Sequence, residues 1–394
     1  MNEIIVKFAN QNIEKELESI GFDKSHLRQA INKYHGTLVK VKNLKAPEAN
    51  ILKQLCLSLG FDCAVHRETI TCKCDYTDCI IFANIAGYKK LTEKLKQQPF
   101  RLKELSSKLH NALNNMLEPL HVRNTLFDWT RPYVMGILNV TPDSFSDGGK
   151  FNNKNAAVNH AVKMIEEGAD IIDIGGESTR PNAAIITPEE EINRIIPVIK
   201  EIRKLNQNIP ISVDTRNYLT AKAAIEEGAD IVNDVSGLDY DKKLFDYVCE
   251  LNIPTIIMHS NKVPAVSENA VDSDIIEEIY NSLYKKIGKM IISGHRKGSI
   301  IADTGIGFGK SKDGCFDILS RHEEFCALGV PLLLGISRKS FIRKEFNITC
   351  EEADIPTALY SAMLSSQGVN IHRVHNVKLT KQYLDFAAKI NFSQ

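Results

Sequence analysis

At 394 residues the chain is long for one domain and comfortable for two. Its 49 basic and 49 acidic side chains balance, so no net field recruits nucleic acid or an anionic membrane surface. No basic stretch leads into an apolar core at the N-terminus, no run nears the roughly 18 apolar residues of a membrane span, and nine scattered cysteines suit reduced thiols, so the expected compartment is the cytoplasm.

The first 118 residues read as a small α+β domain. A strand is expected at Ile4–Phe8, helices at Gln11–Ile20 and Lys24–Tyr34, a strand at Thr37–Val41 and a helix at Pro47–Leu59. Strands follow near Cys63–His66 and at Cys79–Asn84, then helices from Gly87 and Leu102. Cys56, Cys63, Cys72, Cys74 and Cys79 fall here, but without the paired short spacing of a zinc site. Lys89, Lys90, Lys94, Lys96, Arg101, Lys103 and Lys108 read as a solvated helix face rather than a nucleic-acid patch. No nucleotide-binding motif is present, and the sequence leaves the role of this region open between a structural or interaction part and a second activity. Residues 119–132, with Pro119 and Pro132 at the ends, read as a linker.

From Tyr133 the pattern becomes rhythmic. Short β-branched runs at Val134–Leu138, Ile171–Ile174, Ile211–Val213, Ile231–Asn233, Thr255–Met258, Ser299–Ala302, Leu332–Leu334 and Asn370–Val374 alternate with amphipathic stretches such as Ala156–Glu167, Pro188–Lys204, Tyr218–Glu227 and Ile275–Ile292. This alternation predicts an α/β fold, a (β/α)8 TIM barrel over residues 133–394. An internal echo supports it: Glu166-Glu-Gly-Ala-Asp-Ile171 recurs as Glu226-Glu-Gly-Ala-Asp-Ile231, each Gly ending a helix and each Asp-Ile opening a strand. An open doubly wound sheet, the runner-up, would want a glycine-rich phosphate turn after its first strand, and none is there.

The C-terminal ends of these strands carry one polar group after another. The first opens into Asn139, Thr141, Pro142, Asp143, Ser144, Ser146, Asp147 and Gly148-Gly149, more oxygen-bearing side chains than a turn needs. The second gives Gly175-Gly-Glu-Ser-Thr-Arg-Pro181, the third Asp214, the fourth Asn233 and Asp234, the fifth Met258-His259. Asp303 through Lys310 follow the sixth, Ser337-Arg-Lys-Ser340 the seventh, and Arg373-Val-His375 ends the eighth. Any one of them has a structural reading, and Asp234 serves equally as a helix cap. Together they stand where barrels assemble active sites. Asp214, Asn233 and Asp303 can exchange hydrogen bonds with a flat, amide-bearing heterocycle; Asn139, Arg373 and His375 suit an anionic leaving group and its metal.

The motifs NVTPDSFSDGG, GGESTRP, SVDT, VNDVSG, GFGK, SRKS and RVH stand in the order found in dihydropteroate synthases, and the chain from Tyr133 onward closely resembles that family. The resemblance implies condensation of 6-hydroxymethyl-7,8-dihydropterin pyrophosphate with 4-aminobenzoate, giving 7,8-dihydropteroate and pyrophosphate with Mg²⁺ as cofactor. It implies a pterin site of Asp214, Asn233, Met258, Asp303, Phe308 and Lys339, and a diphosphate site of Arg373, His375 and, through the metal, Asn139. It also implies an aminobenzoate pocket of Phe145, Thr179, Arg180, Pro181, Lys339 and Ser340, with Asp147 in the first loop, and catalytic parts for Asp147, Arg180, Asp214 and Lys339. Small-molecule substrates are then the partners, with no nucleic acid or membrane, and a homodimer is expected through Ile355–Gln367 and Lys378–Ile390, where small residues in Thr357–Ser365 permit close helix approach. The sequence departs from the family at Asn182, at Thr304-Gly-Ile306, in the loop after His259, and at Asn376, where Asp is usual. The alternatives are a pterin-binding methyltransferase barrel, which explains neither the first two loops nor Ser337–Ser340, and a non-catalytic paralogue, which predicts losses among Asn139, Arg180, Lys339 or His375. All four are present.

Overall fold

The computed structural model describes residues 36–113, 116–141, 150–177, 186–260 and 274–391, with isolated positions 17, 25, 31, 33 and 34. The expected strand at Ile4–Phe8 and nearly all of the first two expected helices lie outside them. The chain divides into two units, Met1–Asn115 and Met116–Ser393.

In the first unit, β1 (Gly36–Lys45), β2 (Asp62–Val65) and β3 (Tyr76–Asn84) form an antiparallel sheet in the order β1-β3-β2, accompanied by α1 (Ala46–Ser58), α2 (Ile85–Leu95) and α3 (Leu102–Leu113). Side chains of β3 alternate between exposed and buried, so one sheet face turns to the core. There Leu52, Ile81, Leu91, Leu95 and Leu102 pack with the thiols of Cys56, Cys63 and Cys79. Asn84 caps α2 by accepting the Gly87 N–H at 2.7 Å.

The segment expected as a linker is structured. Residues Leu120–Val122 (β4) and Thr125–Phe127 (β5) pair antiparallel as a hairpin belonging to the second unit. Leu120, Val122 and Phe127 bury against Tyr133, Met135, Ile171, Ile231, Ile256, Ile301, Leu333 and Ile371. Those partners stand early on the barrel strands, so the hairpin floors the barrel interior at its N-terminal end.

The barrel is closed. Its strands are β6 (Tyr133–Asn139), β7 (Ile171–Gly175), β8 (Ile211–Asp214), β9 (Ile231–Asp234), β10 (Thr255–Met258), β11 (Ile300–Asp303), β12 (Leu332–Leu334) and β13 (Val369–Val374), each hydrogen-bonded to its sequence neighbours. β13 returns in parallel to β6, with Ile371 opposite Tyr133 and Val374 opposite Gly136, which excludes the open sheet. The outer helices are α4 (Lys150–Glu166), α5 (Pro188–Leu205), α6 (Tyr218–Glu226), α7 (Lys242–Leu251), α8 (Ile275–Ile292), α9 (Lys312–Ser320), α10 (Ser340–Phe346), α11 (Asp354–Ser365) and α12 (Val377–Asn391). Among the described residues no helix is long and apolar enough to cross a membrane.

The repeated sequence does the same job twice. Gly168 and Gly228 take φ of +97° and +108°, ending α4 and α6 in the left-handed region. Two residues on, the carboxylates of Asp170 and Asp230 accept the N–H of Val134 and Ile211, at 2.8 and 2.9 Å, and so tie down the start of the preceding strand. Each is paired with arginine, Arg131 at 2.6 Å for Asp170 and Arg123 at 2.6 Å for Asp230, which also meets Arg203.

Candidate active site

Strand periodicity builds the site. Residues facing the floor of the barrel are apolar: Ile171, Ile231, Ile256, Ile301 and Ile371. Their immediate neighbours Ile172, Val232, Ile257 and Ala302 pack outward against the helices. A further residue along, the side chain points inward again and the chemistry changes, to Asp173, Asn233, Met258, Asp303 and Arg373. Register aligns the rim: Asn139 lies opposite Gly175, Gly175 opposite Asp214, Asp214 opposite Asn233, and Met258 opposite Asp303.

At the centre, Arg373 bridges two carboxylates. Its Nε donates to Asp173 Oδ2 at 2.7 Å and its Nη2 to Asp214 Oδ2 at 2.6 Å. Asn233 Nδ2 donates to the same Asp173 Oδ2 at 3.2 Å and to Oδ1 at 3.4 Å. Burial pushes the Asp214 carboxyl up to about 7; Arg373 opposes that shift, while Asp173, Glu191 and Asp234 add to it. The carboxylates hold the guanidinium firmly protonated against its own burial. Sequence reasoning placed Arg373 with the diphosphate; its Nε and Nη2 serve Asp173 and Asp214.

A second cluster gathers Asp303, Lys339, Phe308 and Met258. Asp303 accepts the Gly305 N–H at 2.7 Å, and burial raises its pKa against the opposing charge of Lys339. Gly305 has φ +63°, and a Cβ there would collide with the His259 carbonyl, so glycine is required. Lys339 donates to the Ile306 carbonyl, and its ammonium stands 4.5 Å from the centre of the Phe308 ring. Burial lowers its pKa to about 8, with Asp303 pulling the other way and Arg373 adding to the fall. Met258 is buried at the end of β10. Lys310, which sequence reasoning left without a role, donates to the carbonyls of Gly305, His259 and Phe308 at 2.8, 3.2 and 3.2 Å and braces this loop.

On the other side of Arg373, His375 Nδ1 and Ser337 Oγ stand 2.9 Å apart, and the His375 N–H donates to the same oxygen at 3.2 Å. Asn139 ends β6 half-buried, and Ser340 begins α10 exposed. Phe145, Asp147, Thr179, Arg180 and Pro181 lie outside the described residues. Asp234 shapes its own loop, accepting from Ser236 N, Ser236 Oγ and Leu238 N at 2.7, 2.9 and 3.0 Å.

Two groups were missed in the sequence. Asp173 is the lone carboxylate inside a buried apolar strand, and a charge at such a position needs a partner. Glu191, in the first turn of α5, is fully buried and accepts from Thr220 Oγ1, Asn217 Nδ2 and Thr215 Oγ1 at 2.7, 2.9 and 3.0 Å. It holds the turn that follows Asp214. Beside it, Arg216 pairs with Glu177 at 3.0 Å.

Comparison with known proteins places this barrel. The family model described as pterin binding enzyme matches residues 135–375. A dihydropteroate synthase of Clostridium beijerinckii is 42% identical over 248 residues, covering 63% of this chain and 90% of that protein. A probable bifunctional folylpolyglutamate synthase/dihydropteroate synthase of Halobacterium salinarum is 39% identical over 331 residues, covering 84% of this chain and 40% of that protein. The chain thus spans about two fifths of the length of such bifunctional relatives, and their likeness extends beyond the barrel into the first unit. Among solved structures, a Clostridium difficile dihydropteroate synthase with pteroic acid is 40% identical with a TM-score of 0.63, covering 66% of this chain and 97% of that one. One from Xanthomonas albilineans with 4-aminobenzoic acid is 36% identical with a TM-score of 0.64, covering 68% of this chain and 95% of that one. The chain belongs to the pterin binding enzyme family, and its barrel is that of a dihydropteroate synthase.

Proposed function

We propose that this chain condenses 6-hydroxymethyl-7,8-dihydropterin pyrophosphate with 4-aminobenzoate, in the cytoplasm, to give 7,8-dihydropteroate and pyrophosphate. The observation that carries the reading is the pair of buried carboxylates held by Arg373, with Asn233 alongside, at the C-terminal end of the closed barrel. Asp214, Asn233 and Asp303 match the donor and acceptor edge of a pterin, Met258 and Phe308 give it apolar walls, and Lys339 adds a donor whose proton is easily shared. As the carbon–oxygen bond to the diphosphate breaks, positive charge spreads into the dihydropterin, and the Asp214 carboxylate opposes it. The aniline nitrogen of 4-aminobenzoate is already a free base at neutral pH, so its attack needs no strong general base.

Asn139, half-buried at the end of β6, offers one hard oxygen to Mg²⁺, and the diphosphate and water would supply further donors. When bound, the ion would neutralise charge on the departing diphosphate; His375 and Arg373 would steer the same group. By the family likeness, Phe145, Thr179, Arg180, Pro181, Lys339 and Ser340 would form the aminobenzoate pocket, with Asp147 contributed by the first loop.

A homodimer through α11 and α12 is part of this reading, with a changed contact face. Thr357, Ala358 and Ser361, expected to permit close approach of a partner helix, are buried in the barrel's own packing. The face left open on α11 is Ile355, Leu359 and Met363, spaced four apart, beside exposed Phe386 and Ile390 on α12. Light scattering of Leu359→Asp should report a monomer where the wild type is a dimer. The function itself is tested by mixing purified protein, Mg²⁺, the pterin pyrophosphate and 4-aminobenzoate: pyrophosphate release that depends on 4-aminobenzoate is expected, and its absence from folded, pterin-binding protein refutes the assignment.

A further inference from the structure

Arg338 stands between two residues of the site, Ser337 and Lys339, with φ +59°, a left-handed backbone that a residue with a side chain keeps only when its surroundings hold it there. Asp354, the first residue of α11, supplies the hold. Arg338 Nε and Nη2 donate to Asp354 Oδ1 and Oδ2 at 2.8 and 2.9 Å, a two-pronged pair whose carboxylate is only 8% exposed. The same Oδ2 accepts Asn376 Nδ2 at 3.2 Å, while Asn376 Oδ1 accepts the Leu379 N–H at 3.1 Å and caps α12. One carboxylate therefore ties the loop after β12 to the loop after β13, the same two loops that meet again through Ser337 and His375. Burial pushes Asp354 up, but the bonds from Arg338 and Asn376 and the charges of Arg338 and His375 outweigh it and keep the group below the usual carboxylate range.

The amide at 376 answers this carboxylate. It donates to Asp354 and accepts from Leu379 at once. A carboxylate at 376 would keep the cap but bring a second negative charge against Asp354 with no proton to offer.

We propose that Asp354 is a positioning residue: through Arg338 it fixes the backbone turn that presents Lys339 and the Ser337–His375 pair to the substrate, and Asn376 is the neutral partner this carboxylate requires. The inference rests on the functional reading above. It touches no reacting group directly, so its signature is coupling between positions 354 and 376.

The test uses the full chain in four forms: wild type, Asp354→Asn, Asn376→Asp and the double exchange. Calorimetry with inorganic pyrophosphate and Mg²⁺ gives Kd, steady-state assays give KM for the pterin pyrophosphate, and melting gives Tm. Asp354→Asn should weaken both binding constants about tenfold and Asn376→Asp about threefold, since each breaks the charge balance of a buried pair. The double exchange relieves the charge clash of Asn376→Asp but still leaves Arg338 without its two-oxygen acceptor, so it should sit near the roughly tenfold loss of Asp354→Asn and well short of the roughly thirtyfold product of the singles. A double variant no better than the product of the singles overturns the proposal, as does Asp354→Asn with lowered Tm and unchanged Kd. If Asp354→Asn does not fold, Arg338→Lys, which keeps the charge and loses the fork, carries the same expectation and the same refutation. If the wild type neither binds pyrophosphate nor turns over, the functional reading has failed instead, and the four melting temperatures still decide whether 354 and 376 are coupled.

Discussion

The two ends of the barrel spend the same residue types differently. At the N-terminal end, Asp170 and Asp230 each accept a strand N–H and pair with arginine, so their charges are closed off inside local structure. At the C-terminal ends of the strands, Asp173 and Asp214 share a single arginine from β13, and Asp303 keeps one oxygen on the Gly305 N–H while facing Lys339. The floor beneath these groups is apolar and plugged by the hairpin; the rim is polar. Carboxylates at the floor end hold the fold, and those at the rim are held at an energetic cost by it, the condition in which a site is ready to exchange its internal partners for a substrate.

That contrast can be broken by experiment. The largest effect is expected from Asp214→Asn, which should lower kcat/KM for the pterin pyrophosphate by roughly 10²-fold while leaving Tm close to wild type. A variant that melts early with normal kinetics would put Asp214 with the floor carboxylates instead. The same residue sets a pH dependence. Folding favours its protonated form, so the stability it contributes is present below the ordinary value of 3.8 and is lost as pH rises toward about 7. Substrate engagement runs the other way, strengthening as the carboxylate ionises through about 7 and weakening as Lys339 loses its proton near 8. The kcat/KM profile should therefore be a narrow bell, and Asp214→Asn should erase its acid limb; a profile flat from pH 6 to 9 would contradict both shifts.

Changes at the floor should do the opposite. Leu120→Ala removes a buried hairpin side chain and is expected to cost about 3 kcal/mol of stability, read by denaturant melting, with kcat/KM unchanged. Asp230→Ala should cost less, about 1–2 kcal/mol, because it strands the Ile211 N–H while the buried Arg203 keeps the carbonyls of Gly228 and Ile209 and Arg123 keeps that of Gly228. A chain beginning at Met116 keeps the hairpin and the barrel and should turn over with kcat/KM within about twofold of the full chain. A larger drop would bring the first unit into the chemistry.

The barrel was legible because parallel strands are buried on both faces and read as unbroken β-branched runs, with helices spaced between them. The rim was legible too, since Asp214, Asn233, Asp303 and Arg373 each end such a run. What escaped had reasons that composition cannot express. The hairpin's strands are three residues each, too short for any period to register, and the flanking prolines suggested a connection. Asp173 was masked by the apolar residues around it. Glu191 and Asp354 open helices, where an acid ordinarily needs no explanation beyond the helix dipole, and only the fold shows them buried with partners from other elements.

The floor hairpin also determines what light can report about this molecule. The chain has one tryptophan, Trp129, directly after β5. Its ring stacks on Phe127 with centroids 5.7 Å apart and meets Tyr133 edge-on, while its indole N–H donates to the Glu118 carbonyl at 2.8 Å. Intrinsic emission therefore comes from the end of the barrel opposite the polar rim. It should follow the seating of the plug during unfolding and stay nearly silent when ligands bind at the rim. A fluorescence titration with no signal would be no sign of an empty site, and a tryptophan placed at Phe308 would give the rim a reporter of its own.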